Sequence, residues 1–280
     1  MPPYAWALCI AGGVLLAAVA LYLFMIKPAS CRHVDMTKYG KRFAHRGLWD
    51  AESPENSLAA FSKAVDAGYG IEFDIHKTRD GQVVVFHDDT LARMCGVDGK
   101  VEDMTLAELK ELRLLGTDER IPTLQEMLAL VDGRVPLLVE LKGESTATGL
   151  CPVADAILSE YKGDYIIESF NPLLVRWYRK HRPDVVRGQL FCNLNNGKKV
   201  KKLIYYLITV LLTNVLARPH FLARGQDSAH NVSFLICKYL FCAPSFVWTV
   251  RAQQQIPPAK SGEGIIFEGF IPADEGEVAK

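Results

Sequence analysis

"GIEFDIHKTRDGQVVVFHDD", Gly70 to Asp89, sets Glu72 and Asp74 one residue apart inside an otherwise apolar run. Side chains at i and i+2 of a strand point to the same side, so two carboxylates are aimed at one place. In a core strand that is costly unless something positive sits there. Asp80-Gly81 reads as a turn, and the strand after it ends in His87-Asp88-Asp89. The stretch therefore sends two acids and an imidazole towards one rim.

Outward from it, strand-like and helix-like segments alternate. "RFAHRG" (42–47) reads as a first strand with a polar tip. "NSLAAFSKAVDAG" (56–68) reads as an amphipathic helix, with Leu58, Phe61 and Val65 on one face and Gly68 as its stop. "TLAELKELRLLG" and "TLQEMLALVDG" read as helices capped by Thr105 and Thr123. "VPLLVELKG", "DYIIESF", "VVRGQLF", "HFLARG", "PSFVWTV" and "GIIFEGF" continue the strands, mostly with helices between them. Eight main strands in βα alternation imply a parallel sheet and an α/β fold of the (β/α)8 TIM-barrel type, with its active site at the C-terminal strand ends. The 280 residues suffice, since such a barrel takes about 250.

Bulk composition narrows the function. With 32 basic and 32 acidic residues the formal charge is zero, which gives no support to nucleic-acid binding. Seven cysteines without metal-type spacing fit a reducing compartment better than a disulfide framework. Tyr4 to Ile26 is a run of 23 residues without charge, long enough to cross a bilayer core of about 30 Å. A cleaved signal peptide is the alternative. No Lys or Arg precedes the run, however, and it exceeds the usual apolar region of about 7–15 residues. Lys27, Arg32, Lys38, Lys41 and Arg42 follow it, so the positive-inside rule puts the remainder in the cytoplasm. The expected organisation is a single-pass transmembrane anchor at 1–27, a juxtamembrane linker at 28–40 and a barrel at 41–280. A second apolar segment, Leu203 to Leu216, follows four lysines and is too short for a comfortable span. It is expected to pack on the barrel rather than dip into lipid.

Chemistry concentrates at the strand ends: His45 and Arg46, Glu72 and Asp74, His87, then Glu140 and Lys142. Three carboxylates make an oxygen-rich site suited to Ca²⁺ or Mg²⁺. Two imidazoles and two cations beside it suit acid–base chemistry on an anion, phosphate above all. Singly, each has a plainer reading: Glu-x-Asp as a solvated face, His-Asp-Asp as a turn, Lys142–Glu140 as a surface pair worth about 0–1 kcal/mol. At successive strand ends they reinforce one another.

The same residues carry a family resemblance. "HRG" at 45–47, "PENS" at 54–57, "EFDIHKTRDGQVVVFHDD" at 72–89, "PTLQE" at 122–126, "ELK" at 140–142 and "ESFNPLLV" at 168–175 resemble the glycerophosphodiester phosphodiesterase family, in a membrane-anchored, bacterial-like form. "WTV" at 248–250 and "GIIFEGFIP" resemble its closing strands, so the likeness covers roughly 41 to 272. It implies a phosphodiesterase barrel with one divalent cation, Ca²⁺ or Mg²⁺, held by Glu72, Asp74 and Glu140. It further implies His45 and His87 as the general acid–base pair, and Arg46 and Lys142 as the phosphate holders. Glu55 and Asn56 match the loop after strand one in a supporting role, with helix N-cap as the other reading of Asn56. The resemblance leaves open which histidine is acid, and whether water or the substrate's glycerol 2-hydroxyl attacks. Many members close with Asp where this chain has Glu268. The implied partner is a small-molecule or lipid-derived glycerophosphodiester at a membrane, with no nucleic acid and no protein partner. Two rivals stand beside hydrolysis to glycerol 3-phosphate and an alcohol: a phospholipase D-like enzyme acting on lysophospholipid or membrane lipid, and a catalytically silent glycerophosphodiester-binding module.

Overall fold

In the computed structural model, which describes residues 3–31, 34–143, 146–196 and 202–273, the apolar runs form nine strands. They are β1 (Arg42–His45), β2 (Gly70–Lys77), β3 (Val83–Val85), β4 (Leu137–Leu141), β5 (Tyr165–Ser169), β6 (Arg187–Phe191), β7 (Phe221–Gly225), β8 (Ser245–Val250) and β9 (Gly264–Phe267). Of the residues singled out by sequence, Arg32, Lys198, Lys199, Lys201 and the stretch 274–280 lie outside the described residues. β1 pairs with both β2 and β9, so eight parallel strands close on themselves. β3 departs from the alternation: it runs antiparallel to β2, with Ile75 opposite Val85 and Lys77 opposite Val83. The Asp80-Gly81 turn is too short for a parallel crossover, which needs about a dozen residues. His87 thus reaches the rim from a hairpin folded back along β2.

The barrel interior is built in layers by the period of two. Phe43 on β1, Phe221 on β7 and Phe246 on β8 meet edge to face, with centroids 5.6 Å (43–246) and 5.4 Å (221–246) apart. Each opposes a glycine of a neighbouring strand: Gly70 on β2, Gly188 on β6 and Gly264 on β9. The space is fully used, since a Cβ on Gly188 would lie 2.2 Å from the Phe221 ring. Leu138, Ile166 and Ile266 complete this apolar floor. Two residues further along β1, β2, β4, β5 and the β9 exit come His45, Glu72, Glu140, Glu168 and Glu268. A charged layer therefore sits directly on an apolar one.

The helices begin where capping chemistry says they should. Thr105 and Thr123 each cap a helix through a capping box, with Glu108 and Glu126 as reciprocal partners. Ser57, rather than Asn56, caps helix Leu58–Asp66, its Oγ accepting from the Ala60 amide. Asn56 is turned inward and is taken up by the site described below.

The apolar segment after β6 forms two pieces, Leu203–Thr209 and Asn214–Ala217; Ile208, Leu211 and Leu212 pack on the barrel, whereas Leu203 and Ile204 are exposed. Between the two pieces Leu211 adopts a left-handed φ of 58° and is fully buried with Ile26, Phe191, Leu222 and Phe234. Leu211→Lys should therefore act on the fold: a charge with no partner in that cluster is expected to cost about 3–5 kcal/mol. Thermal unfolding by circular dichroism checks it, and a melting temperature unchanged from the parent would contradict the buried placement.

The N-terminal helix, Pro3–Ile26, is long and apolar enough over Trp6–Ile26 to cross a membrane. Its last turn is seated on the barrel. Ile26 is fully buried, and its carbonyl accepts from Asn214 Nδ2 at 2.8 Å. The Arg218 guanidinium donates to the Phe24 and Lys27 carbonyls, and the Ala29 amide donates to the Pro219 carbonyl at 2.8 Å.

Candidate active site

Strand register assembles the charged layer. It sets His45 opposite Glu72, Asp74 opposite Glu140, and Glu140 opposite Glu168. Glu72, Asp74 and Glu140 are buried, and each offers an oxygen such that all three lie within 4.8 Å of one another. Oxygens bound at about 2.4 Å to a common ion are at most about 4.8 Å apart, so this donor set fits a hard divalent cation. Glu168, not singled out by sequence, is 1% exposed beside Glu140, and its Oε2 has no hydrogen-bond partner among the described residues.

Counter-charges are few. Lys142 Nζ lies 2.8 Å from Asp74 Oδ1 and 2.8 Å from Glu140 Oε1. Asp74 Oδ2 accepts from Asn56 Nδ2 at 2.9 Å and has Arg46 Nε at 3.5 Å. Arg46 and Asn56 reach it from left-handed backbone, with φ of 62° and 58°. Side chains with a Cβ avoid that region, and such strain persists where surrounding contacts enforce it. Burial pushes the Glu72 carboxyl well above its usual range, helped by the charges of Asp74 and Glu140. Burial likewise raises Glu140 to about 7, with Lys142 opposing, and Glu168 well above its ordinary value. Burial works against Asp74 too, but Lys142, His87 and Arg46 hold it well below the carboxylate range. The cluster is under-neutralised, which is what added positive charge relieves.

Each histidine is backed by a carboxylate. His45 Nδ1 is hydrogen-bonded to Glu268 Oε2, while its Nε2 lies 3.9 Å from Glu72 Oε2. A carboxylate accepts, so Nδ1 carries the proton and Nε2 presents a lone pair to the cluster. Burial would raise Glu268, but His45 and Arg251 bring it down to about 2. Burial lowers the His45 imidazole, with Glu268 opposing. His87 Nδ1 lies 2.6 Å from Asp88 Oδ1, and Asp88 Oδ2 accepts from Arg93 Nε at 2.6 Å. Arg93 also donates to Glu55, which accepts from Arg46 Nη1 at 2.8 Å. A chain of charge pairs thus links the two rim loops. His87 is the more open imidazole, its side chain 32% exposed against 11% for His45.

The structure brings His45, Arg46, Glu72, Asp74, Glu140 and Lys142 into one cluster, with His87 on the same rim close enough for its charge to act on Asp74. Sequence reasoning did not assign Glu168, Asp88 or Arg93, and gave Glu268 no role. For Glu168 a signal existed: it stands two residues past Ile166, as Glu140 stands two past Leu138.

The profile of the glycerophosphoryl diester phosphodiesterase family matches residues 45–256. A Bacillus subtilis relative is 35% identical over 151 residues, which is 51% of this chain, and the match spans 62% of that relative's length. A glycerophosphodiester phosphodiesterase of Caldanaerobacter subterraneus is 37% identical over 166 residues, 54% of this chain and 67% of the relative. Among solved structures, an Oleispira antarctica phosphodiesterase in complex with the product sn-glycerol-3-phosphate has a TM-score of 0.67 at 23% identity. That superposition covers 82% of this chain and 93% of the other, a likeness of fold.

Proposed function

The chain belongs to the glycerophosphoryl diester phosphodiesterase family, and on that basis we propose that it hydrolyses glycerophosphodiesters to glycerol 3-phosphate and an alcohol at the barrel rim. The observation that carries this reading is the buried carboxylate trio flanked by an imidazole that turns a bare nitrogen towards it.

Glu72, Asp74 and Glu140 would hold one divalent cation, Ca²⁺ or Mg²⁺, which when bound stabilises charge on the phosphoryl oxygens. Arg46 and Lys142 orient the phosphate and share that charge. His45 Nε2 takes the proton of the attacking oxygen, and Glu268 stabilises the imidazolium that forms. His87, more open to solvent and backed by Asp88, protonates the departing alkoxide. The phosphorus–oxygen bond to the alcohol breaks, and the new one carries the attacking oxygen into the product.

The test uses the full chain, stripped with chelator and supplied with glycerophosphocholine. Release of glycerol 3-phosphate should return on adding Ca²⁺ or Mg²⁺. Metal binding without release would favour the silent binding module. Lys142→Met gives a separate check. It leaves Asp74 and Glu140 without their ammonium, so the metal-free protein should lose about 3–5 kcal/mol. Added Ca²⁺ should recover much of that loss in a thermal melt, and no recovery would count against a cation at the trio.

The N-terminal helix is read as a retained single-pass anchor (residues 1–27), its exposed part up to Leu21 in the bilayer and Tyr22 to Ile26 docked on the barrel, with 28–40 as linker and 41–280 as the barrel on the cytoplasmic side. The docking of Tyr22 to Ile26 on the barrel supports retention, since signal cleavage would strip away packed residues. Lys27, Lys38 and Lys41 after the span support the cytoplasmic side.

A further inference from the structure

The seating of the N-terminal helix decides which end of the barrel meets a bilayer. β7 ends at Gly225 on the catalytic rim, and helix Val232–Tyr239 then descends to the opposite end, where β8 begins at Ser245. The N-terminal helix lies beside it and runs the same way. Tyr22 Oη is hydrogen-bonded to Ser233 Oγ at 2.8 Å. Four residues on in both helices, Cys237 Sγ donates to the Ile26 carbonyl at 3.3 Å. Below that, Lys27 Nζ stands 5.8 Å from the centroid of the Phe241 ring. Matched steps in the two helices make them parallel, so Tyr22 is at rim level and Lys27 lies towards the opposite end. Arg218, immediately before β7 at that opposite end, binds the Phe24 and Lys27 carbonyls and agrees with this direction.

Everything N-terminal to Tyr22 therefore leaves the barrel past its catalytic rim. Pro3 to Leu21 extends about 28 Å at 1.5 Å per residue, against about 30 Å of bilayer hydrocarbon. Trp6 to Leu21 are exposed and uncharged directly from the Tyr22 contact, so no polar spacer separates the rim from the apolar run. Past the strand ends on this side, Leu203, Ile204, Val232 and Ile271 are 73%, 46%, 66% and 60% exposed, next to Lys202. Apolar side chains beside a cation suit the headgroup boundary.

We propose that the catalytic rim is pressed against the membrane surface, so that the active-site mouth opens onto lipid headgroups and the substrate is a phosphodiester presented by the bilayer. The inference rests on the anchored-hydrolase reading, and its test separates the two.

The full chain, with exposed Cys9 and Cys242 changed to serine, would carry a bimane label at Val232→Cys or at Leu240→Cys. It would be reconstituted in phosphatidylcholine–phosphatidylglycerol vesicles containing headgroup-spin-labelled lipid. The two sites are separated by about 12 Å of helix, more than the interfacial layer of about 5–10 Å. The label at 232 should be quenched at least about threefold more than the label at 240. The reverse order, or equal quenching, overturns the proposal. This readout needs no turnover, so a failure of hydrolysis is seen separately, and carbonate extraction reports on the anchor itself. In the kinetic arm, Leu203→Glu with Val232→Glu should lower turnover of vesicle-borne lysophosphatidylcholine about tenfold while sparing soluble glycerophosphocholine. Tyr239→Glu with Leu240→Glu, exposed at the opposite end, should change neither; selective loss with this pair instead would mean the barrel is inverted.

Discussion

Glu72→Gln is expected to lower metal-restored release of glycerol 3-phosphate by about 10³-fold, equivalent to about 4 kcal/mol of transition-state stabilisation. The amide keeps the shape of the side chain but withdraws one charged oxygen from the trio. Stability should move the other way. Burial, with Asp74 and Glu140 nearby, raises the Glu72 carboxyl well above its ordinary value. A group raised in the fold stabilises it at low pH, and that contribution is lost as pH rises through the raised value. The metal-free parent should accordingly weaken with rising pH, and the glutamine variant should be spared that loss. Ca²⁺ at 100 times its dissociation constant should stabilise the parent by about 2.7 kcal/mol, and the variant by far less. A variant that kept both Ca²⁺-stimulated turnover and its Ca²⁺-induced melting shift would remove Glu72 from the metal site.

The second large effect separates the histidines. His87→Ala should cut turnover of glycerophosphocholine by about 10²–10⁴-fold. A glycerol phosphodiester of p-nitrophenol should restore most of it, because nitrophenolate departs without a proton. His45→Ala should lose a similar factor on both substrates, since the attacking oxygen still has to be deprotonated. The assignment follows from Glu268 on Nδ1 of His45, which leaves Nε2 bare towards the carboxylates, and from the greater exposure of His87. Rescue of His45→Ala in place of His87→Ala would exchange the two roles. Glu268→Gln, as a positioning change, should lower kcat about 10–100-fold and move the basic-group limb of the pH profile to lower pH, because the carboxylate that favours the imidazolium is gone.

The pairs Glu72–Asp74 and Glu140–Lys142 were legible because spacing of two on a strand is a local property. So were the caps at Thr105 and Thr123, where the capping partner is three residues away. Asn56 was ambiguous for the opposite reason. Its neighbour Ser57 can cap equally well, and only the folded barrel brings Asp74, 18 residues on, within reach of its amide.

By itself the sequence determined the βα alternation, the barrel, the uncharged N-terminal run and most of the charged side chains that one rim can offer, because all of these follow from period, length and composition read along a single segment. Tertiary structure alone decided what depends on closure: Glu268 on His45 across 223 residues, Glu168 beside Glu140, and the break at Leu211. It also decided the direction in which the N-terminal helix leaves the barrel. Strand register and helix docking are long-range choices, made by which apolar faces bury together, and no local period encodes them.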